Sequence, residues 1–397
     1  MNFLYITSAR LPTVKAHGYQ IVKTCEALAR EHKLFLFAPV DADAQVAQGI
    51  CEYYAAEANF EIVGGFHIDV PFLRNTMQQL WFTIHLLTFA GSAALWTIRH
   101  RKAIDIVYSR DPLSLYFLSK IRRFSRLPLV YESHEFPEAG HPFQVDLAKK
   151  LDGLVVVTRQ LRERFVHAGV DSERILVEPD AVDAKQFDVA ISKQDARRRI
   201  GMPLDIIAAT YTGRFHTMEM EKGIPETIDA SRRLVANFPK LRFYFVGGPS
   251  DREERYRSRI AANGVPQDRF LFLEKQPVAD LPFWLKASDV LLMPHPKNTF
   301  YSFYVSPLKM YEYMAARRPI VGSKLPAIEE VLTDGENALL AEPGNAESLA
   351  EKIGTLLENP ALGEKLSQAA FERVQGHTWD ERAKRIAAFV SELSATR

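Results

Sequence analysis

A chain of 397 residues exceeds what one hydrophobic core ordinarily serves, so two domains of roughly 150–200 residues each are expected. Hydrophobic residues make up 47% and charged residues 25%, the mixture of a folded enzyme and not of a disordered chain. Lys plus Arg number 50 against 49 Asp plus Glu, so no overall charge draws the chain to nucleic acid, and any basic function must be local.

The first residues turn polar by Arg10 and have neither a basic leader nor a long apolar core. They read as a strand, Asn2–Thr7, and not as a signal peptide. A helix with apolar Ile21, Cys25, Leu28 and Ala29 leads to a second strand, Lys33–Ala38. Cys25 and Cys51 have no metal or redox spacing and read as reduced thiols of a cytoplasmic protein. Leu80 to Ile98 carries no formal charge and is long enough to span a bilayer. His85, Thr88, Ser92 and Arg99 nevertheless form one stripe at helical spacing, as on a helix with a solvent-facing edge. A buried crossover helix is the first reading, a membrane-lying surface the second and a span the third.

Strands follow at Ile104–Tyr108, Leu127–Glu132, Gly153–Thr158 and Ile175–Glu178. After a polar, Arg-rich stretch from Ala184 to Asp205 the pattern restarts with Ile206–Thr212, Leu241–Gly247, Arg269–Leu273, Val290–Pro294 and Pro319–Gly322. Helices at Pro225–Asn237, Arg252–Asn263 and Leu308–Ala316 lie between them. Two successive series of this kind predict two doubly wound parallel sheets, each with its ligand crevice at the carboxyl ends of the strands. The expected domains are 1–185 and 186–377, with a last helix within 378–397 packing back across them.

The chemistry concentrates in the second half. Strand Ile206–Thr212 ends in Gly213-Arg214, and eight residues on, Lys222-Gly223 opens a helix. A glycine there lets the backbone approach a ligand, and a guanidinium and an ammonium beside a helix N-terminus would neutralise a diphosphate. Two surface cations beside a turn would look the same from these four residues alone. In Ser306-Pro307-Leu308-Lys309-Met310-Tyr311-Glu312, Ser306 is a plausible N-cap and Pro307 fits the first turn. Glu312, about one turn further in, can accept hydrogen bonds from a diol such as ribose.

These blocks, with Glu221-Lys222-Gly223 and Asp334-Gly335-Glu336-Asn337-Ala338-Leu339-Leu340, resemble glycosyltransferase family 4, the retaining transferases of GT-B architecture. Gly18 in the loop after the first strand, Tyr131-Glu132-Ser133-His134-Glu135 and Pro179-Asp180-Ala181-Val182-Asp183 carry the resemblance through the first half. It implies an α/β protein with two Rossmann-like, doubly wound domains facing across a cleft, the first binding the acceptor and the second a nucleotide sugar. It further implies that Gly18 brings backbone amides to the distal phosphate and that Arg214 and Lys222 hold the diphosphate as leaving group. Glu312 would bind the ribose, backbone near Glu274 and Lys275 the base, and His134 would line the sugar pocket. Gly213, Ser306, Pro307, Leu308 and Lys309 complete the donor site. The family often has a Glu eight residues before the ribose-binding Glu, but position 304 is Tyr, which removes any inference about the sugar transferred.

No metal is expected: the chain's own cations do that work, and Asp41-Ala42-Asp43 is a small polar loop. Glu132 and Glu135 could act as base in an inverting enzyme, whereas in a retaining one the leaving phosphate takes the acceptor's proton. Basic Arg99, Arg101, Lys102, Lys120, Arg122, Arg123 and Arg126 lie near Phe72, Leu73, Trp81, Phe82, Phe89 and Trp96. Either these are solvated helix ends, or segments 71–102 and 120–126 dock on anionic lipid. The resulting expectation is a cytoplasmic hexosyltransferase, on the inner face of the membrane if that surface docks. It would move a sugar from a UDP- or GDP-sugar to an envelope glycan or lipid-linked acceptor, with no nucleic-acid partner. A sugar-nucleotide epimerase of the same architecture and a degenerate, non-catalytic sugar-nucleotide-binding protein are the alternatives.

Overall fold

The computed structural model describes all residues except 42, 138–142, 218 and 396–397, so Ala42 of the Asp41-Ala42-Asp43 loop lies outside the described residues. The chain divides into two compact units, residues 1–180 with 379–397, and residues 181–378.

The first unit is built on strands β1 (Asn2–Ile6), β2 (Lys33–Ala38), β3 (Glu61–Gly64), β4 (Ile106–Ser109), β5 (Leu129–Ser133), β6 (Gly153–Val156) and β7 (Ile175–Val177). They form one sheet in the order β3-β2-β1-β4-β5-β6-β7, every neighbouring pair parallel. β1, β4, β5 and β6 are almost wholly buried, which is why they appear as unbroken apolar runs in the sequence. β3 escaped prediction because it is a four-residue edge strand, nowhere fully buried, with no apolar run to mark it. The final helix, Trp379–Ala395, belongs to this unit and packs on the helix Ala16–Ala29. Cys25 and Cys51 are separate, buried thiols.

The helix Gln78–His100 corrects an expectation. Of its polar stripe only Arg99, at the end, is exposed. His85 is buried against His67 and Trp81, and Thr88 Oγ1 accepts from the Ile68 amide at 3.0 Å. Phe89 and Trp96 pack on Phe37 of β2. With His85 and Thr88 turned inward, the helix leaves Leu80, Leu87 and Leu95 exposed along one side, and Phe82 is exposed as well. Only 33% of its most apolar window is buried, so it is not the interior crossover helix that its composition suggested.

The second unit repeats the plan with β8 (Ile207–Thr212), β9 (His216–Thr217), β10 (Met220–Glu221), β11 (Leu241–Val246), β12 (Phe270–Leu273), β13 (Val290–Met293), β14 (Ile320–Ser323) and β15 (Leu339–Ala341). Its six-stranded parallel sheet runs β12-β11-β8-β13-β14-β15, while β9 and β10 pair as a small antiparallel hairpin. Side chains alternate between the two faces of the sheet. Phe243 and Phe245 point into the cluster with Tyr211, Ile228 and Ile353, whereas Tyr244 and Val246 join Ala208 and Trp284 on the other face. In chain order the sheet reads 3-2-1-4-5-6, the doubly wound pattern whose crevice opens between its first and fourth strands. Those are β8 and β13, and the second unit's site is built there.

Candidate active site

β8 and β13 pair only through Ala209 and Thr210, and beyond that point the strands are no longer joined by ladder hydrogen bonds. Tyr313 bridges the gap. Its hydroxyl accepts from the Thr212 amide at 2.8 Å and reaches the Leu292 carbonyl at 3.4 Å. This locks the helix Leu308–Ala315, which carries Lys309 and Glu312, to the split at the switch point. The N-cap of that helix is Pro307, with no side-chain cap. Ser306, expected in that role, lies one residue too early, and its hydroxyl faces the Tyr311 hydroxyl at 3.1 Å.

The loops at the carboxyl ends of the strands close on one another. Gly213 has φ +108, a conformation that side chains rarely adopt, and an added Cβ would sit 3.2 Å from Lys309 Nζ. The Lys309 ammonium therefore hangs directly over the end of β8. It lies 3.6 Å from the centre of the Tyr211 ring and has no hydrogen-bond partner among the described residues. At Gly223 (φ +87) a Cβ would collide with the Pro294 carbonyl at 1.7 Å, so only glycine lets the loop after β13 press against the start of the helix Ile224–Asn237. Lys222 is thereby brought beside the same edge.

The electrostatics show how crowded with positive charge this edge is. Burial, then Arg214, lowers the Lys222 ammonium to about 8. Burial, then Lys222, holds Lys309 well below the ordinary lysine value, with Glu312 opposing. Glu312 is itself pushed up to about 7 by burial, against the pull of Lys309. Cations gathered about one carboxylate are what an anionic ligand would relieve.

The hairpin preceding Lys222 is clamped from outside. Arg252 donates to Glu221 at 2.9 Å and also bonds Glu219, and the Tyr256 hydroxyl donates to Glu221 at 2.7 Å. Arg214 is exposed, its carbonyl held by the Tyr211 hydroxyl at 2.7 Å. Glu274 and Lys275 follow the end of β12 and are exposed, and Glu274 accepts from the Ser250 amide at 2.9 Å. Thus Gly213, Arg214, Lys222, Glu274, Lys275, Ser306, Pro307, Leu308, Lys309 and Glu312 all lie in the second unit. Sequence reasoning missed His295, two residues past β13, and Tyr301, whose ring stacks on it. The signal available was position alone: a histidine leaving a strand at the switch point.

Gly18 and His134 belong to the first unit. Gly18 is not in the loop after β1 but in the first turn of the helix Ala16–Ala29, where an added Cβ would meet the Tyr54 hydroxyl at 2.2 Å. Its amide already bonds the Lys15 carbonyl at 3.2 Å. His134 follows β5, and its Nε2–H donates to Glu132 at 2.6 Å. Burial, then Arg110, lowers the imidazole's pKa and keeps it neutral near pH 7 despite that carboxylate. Glu132 also accepts from Tyr108 at 2.6 Å and from Arg382 at 2.8 Å. Burial would raise Glu132, but Arg382 and then His134 outweigh it and hold the carboxyl well below its ordinary range. Asp43 is occupied as an N-cap, accepting from the Val46 amide at 2.8 Å. Among the described residues no group of three or more His, Cys, Asp or Glu is assembled that could hold a metal ion.

Two doubly wound units, the second with a cationic edge at its switch point beside a helix bearing a carboxylate one turn in, define a glycosyltransferase of GT-B fold. The model for Glycosyltransferase Family 4 matches residues 18–186, and that for Glycosyl transferases group 1 matches 207–359. The D-inositol 3-phosphate glycosyltransferase of Corynebacterium efficiens is 25% identical over 332 residues, 78% of this chain and 76% of that protein. The enzyme of the same name from Acidothermus cellulolyticus is 28% identical over 347 residues, 79% and 73% of the two chains. Among solved structures, Anabaena HepE in complex with UDP superposes with a TM-score of 0.74 at 19% identity, over 99% of this chain and all of that one. Sucrose-phosphate synthase from Thermosynechococcus elongatus gives 0.75 at 19% identity, over the full length of both. The chain belongs to glycosyltransferase family 4.

Proposed function

We propose that the chain transfers a hexosyl group, with retention of configuration, from a UDP- or GDP-sugar to an envelope glycan or lipid-linked acceptor. The observation that carries the reading is the gathering of Lys222, Lys309 and Arg214 about the end of β8, with Glu312 as their carboxylate. Two of these cations offset a diphosphate ester and the third balances Glu312, so the leaving group is stabilised without a metal. Anabaena HepE, of the same fold, was solved with UDP and with UDP-glucose, which favours a nucleotide-sugar donor here. The first unit is assigned the acceptor. Retention is supported by the state of Glu132: buried and already accepting from three groups, it is a poor base for inversion, which leaves the donor phosphate to take the acceptor's proton.

The test is transfer and hydrolysis across UDP- and GDP-hexoses in the presence of EDTA, with the product anomer read by NMR. One donor is expected to turn over in EDTA and to give the donor's own anomeric configuration. Inversion, or turnover only on adding Mg²⁺ or Mn²⁺, would contradict the mechanism. Nucleotide binding with no turnover of any donor would leave a binding protein.

The exposed apolar face of Gln78–His100 supports a peripheral station on the inner, anionic face of the cytoplasmic membrane. Leu80, Phe82, Leu87, Leu95, Phe72 and Met77 are exposed, and so are Arg99, Lys102, Lys120, Arg123 and Phe124 nearby. Apolar insertion combined with attraction to anionic headgroups gives reversible binding where either alone is marginal. Arg122 contributes less than its position suggested, because it pairs with Asp152. The protein is expected to sediment with anionic liposomes at low salt, less so as salt rises, and less again in Arg99→Ser/Lys102→Ser/Arg123→Ser. Indifference to anionic liposomes at low salt would place the acceptor in solution.

A further inference from the structure

Beside Lys309, two side chains of the second unit carry polar atoms with no partner among the described residues: both ring nitrogens of His295 and the hydroxyl of Tyr301. Each residue is only 2% exposed, so bulk water does not compensate for what the protein withholds. Buried polar groups are nearly always bonded, and a set left open at the end of a strand points to a ligand that completes it. The two rings stack nearly parallel, 8° apart with centroids at 4.7 Å, which fixes the imidazole plane.

The fold places this pair in the donor site. His295 follows Pro294, whose carbonyl lies against Gly223, the residue after Lys222. β13, which delivers His295, is the strand beside β8 at the switch point. Lys309 and Lys222 are near enough to disfavour a charge on the imidazole, and burial disfavours it more, so the ring is neutral. A neutral imidazole has one nitrogen that donates and one that accepts. The flanking ammonium groups can only donate, and ionised phosphate oxygens can only accept. The two nitrogens point apart, so each takes its own partner; a hydroxyl, which both donates and accepts, can serve either one, and beside a sugar diphosphate that group is a sugar hydroxyl.

We propose that His295, held in plane by Tyr301, hydrogen-bonds a hydroxyl of the donor's sugar, and that this pair sets which sugar the site accepts. The proposal rests on the nucleotide-sugar reading above and assigns the part of the donor that reading leaves open. His295 is then a specificity residue for the sugar and not for the nucleotide. A site built to bond a hydroxyl rejects the analogue that lacks it far more strongly than an apolar pocket does.

The test uses the full chain, with UDP and GDP, their hexoses and the monodeoxy forms of the hexose that turns over. In His295→Ala the affinity for the bare nucleotide is expected to stay within about twofold of wild type, while kcat/KM for the sugar donor falls at least about tenfold. Wild type should reject one deoxy donor by a similar factor, and His295→Ala should no longer distinguish that donor from its parent. His295→Asn, which keeps a donor and an acceptor, should recover part of the discrimination, and Tyr301→Phe should lose part of it. These two variants also decide the matter if His295→Ala fails to fold. Equal losses for nucleotide and sugar nucleotide, or discrimination unchanged in every variant, would overturn the assignment. If neither UDP nor GDP binds wild type, the donor reading itself fails and this proposal with it.

Discussion

Lys222→Ala and Arg214→Ala should each lower kcat/KM for the sugar nucleotide by about thirtyfold to a thousandfold, with the fold intact. That is the loss of about 2–4 kcal/mol of transition-state stabilisation expected when one donor to a developing oxyanion is removed from a preorganised site. The fold should survive because the edge is already overcharged: removing one cation relieves Lys222 or Lys309 of a repulsive neighbour. The pH profile gives a second reading. Lys222 sits at about 8, so the charged form that grips the diphosphate is complete below that value and lost as pH rises through it. The free-enzyme profile, kcat/KM against pH, should therefore fall on its alkaline side near pH 8. Lys222→Arg, whose charge does not titrate there, should move that limb upward or abolish it. Near-normal kcat/KM in both alanine variants would remove the diphosphate site from this edge.

Much of this site was legible in the sequence because its parts lie at the ends of buried strands. β8 and β13 are short apolar runs, and the residues just after such a run in a doubly wound sheet face the crevice whatever their identity. Gly213-Arg214 and Lys222-Gly223 could be read on that ground. What could not be read was the meeting of Lys309 with Gly213, because the contact joins residues 96 positions apart and depends on Tyr313 filling the split between two strands. The same limit hid His295 and Tyr301, whose lack of internal partners is a property of packing and leaves no trace in composition. Short elements failed for the opposite reason. β3, β15 and the β9–β10 hairpin are two to four residues long and owe their form to neighbours already in place. The helix Gln78–His100 misleads because a polar stripe suggests the wet side. Its Thr88 and Ser92 hydroxyls are bonded internally, to a neighbouring loop and to the helix's own carbonyls, His85 stacks on Trp81, and Leu80, Leu87 and Leu95 are left outside.

Replacing Arg382 should cost more stability than any of the substitutions at the donor site. The residue is 1% exposed, and its guanidinium joins three parts of the first unit. It donates to Glu132 near the end of β5, to Thr24 Oγ1 on the helix Ala16–Ala29 at 3.1 Å, and to the Pro179 carbonyl beyond β7 at 3.0 Å. In Arg382→Met the side chain keeps its bulk while the Glu132 carboxylate loses its principal counter-charge in a fully buried position. Breaking a buried pair from one side typically costs about 3–5 kcal/mol, most of it from the charge left behind. Urea unfolding followed by tryptophan fluorescence reports on this unit, which contains Trp81, Trp96 and Trp379, whereas the second unit has Trp284. The pH dependence separates lost charge from lost packing. In wild type Glu132 is held below its ordinary range, so its contribution is present at neutral pH and fades only as pH falls through that depressed value. Without Arg382, burial dominates and the carboxyl takes up a proton at a higher pH than in the unfolded chain. The deficit of Arg382→Met should then be greatest near neutrality and shrink as pH is lowered toward the ordinary carboxylate value. The double variant Arg382→Met/Glu132→Gln, which buries no charge at this point, should regain much of the loss at pH 7. A deficit independent of pH and unrelieved in the double variant would show that Arg382 acts through its packing and its bonds to Thr24 and Pro179, and not through Glu132.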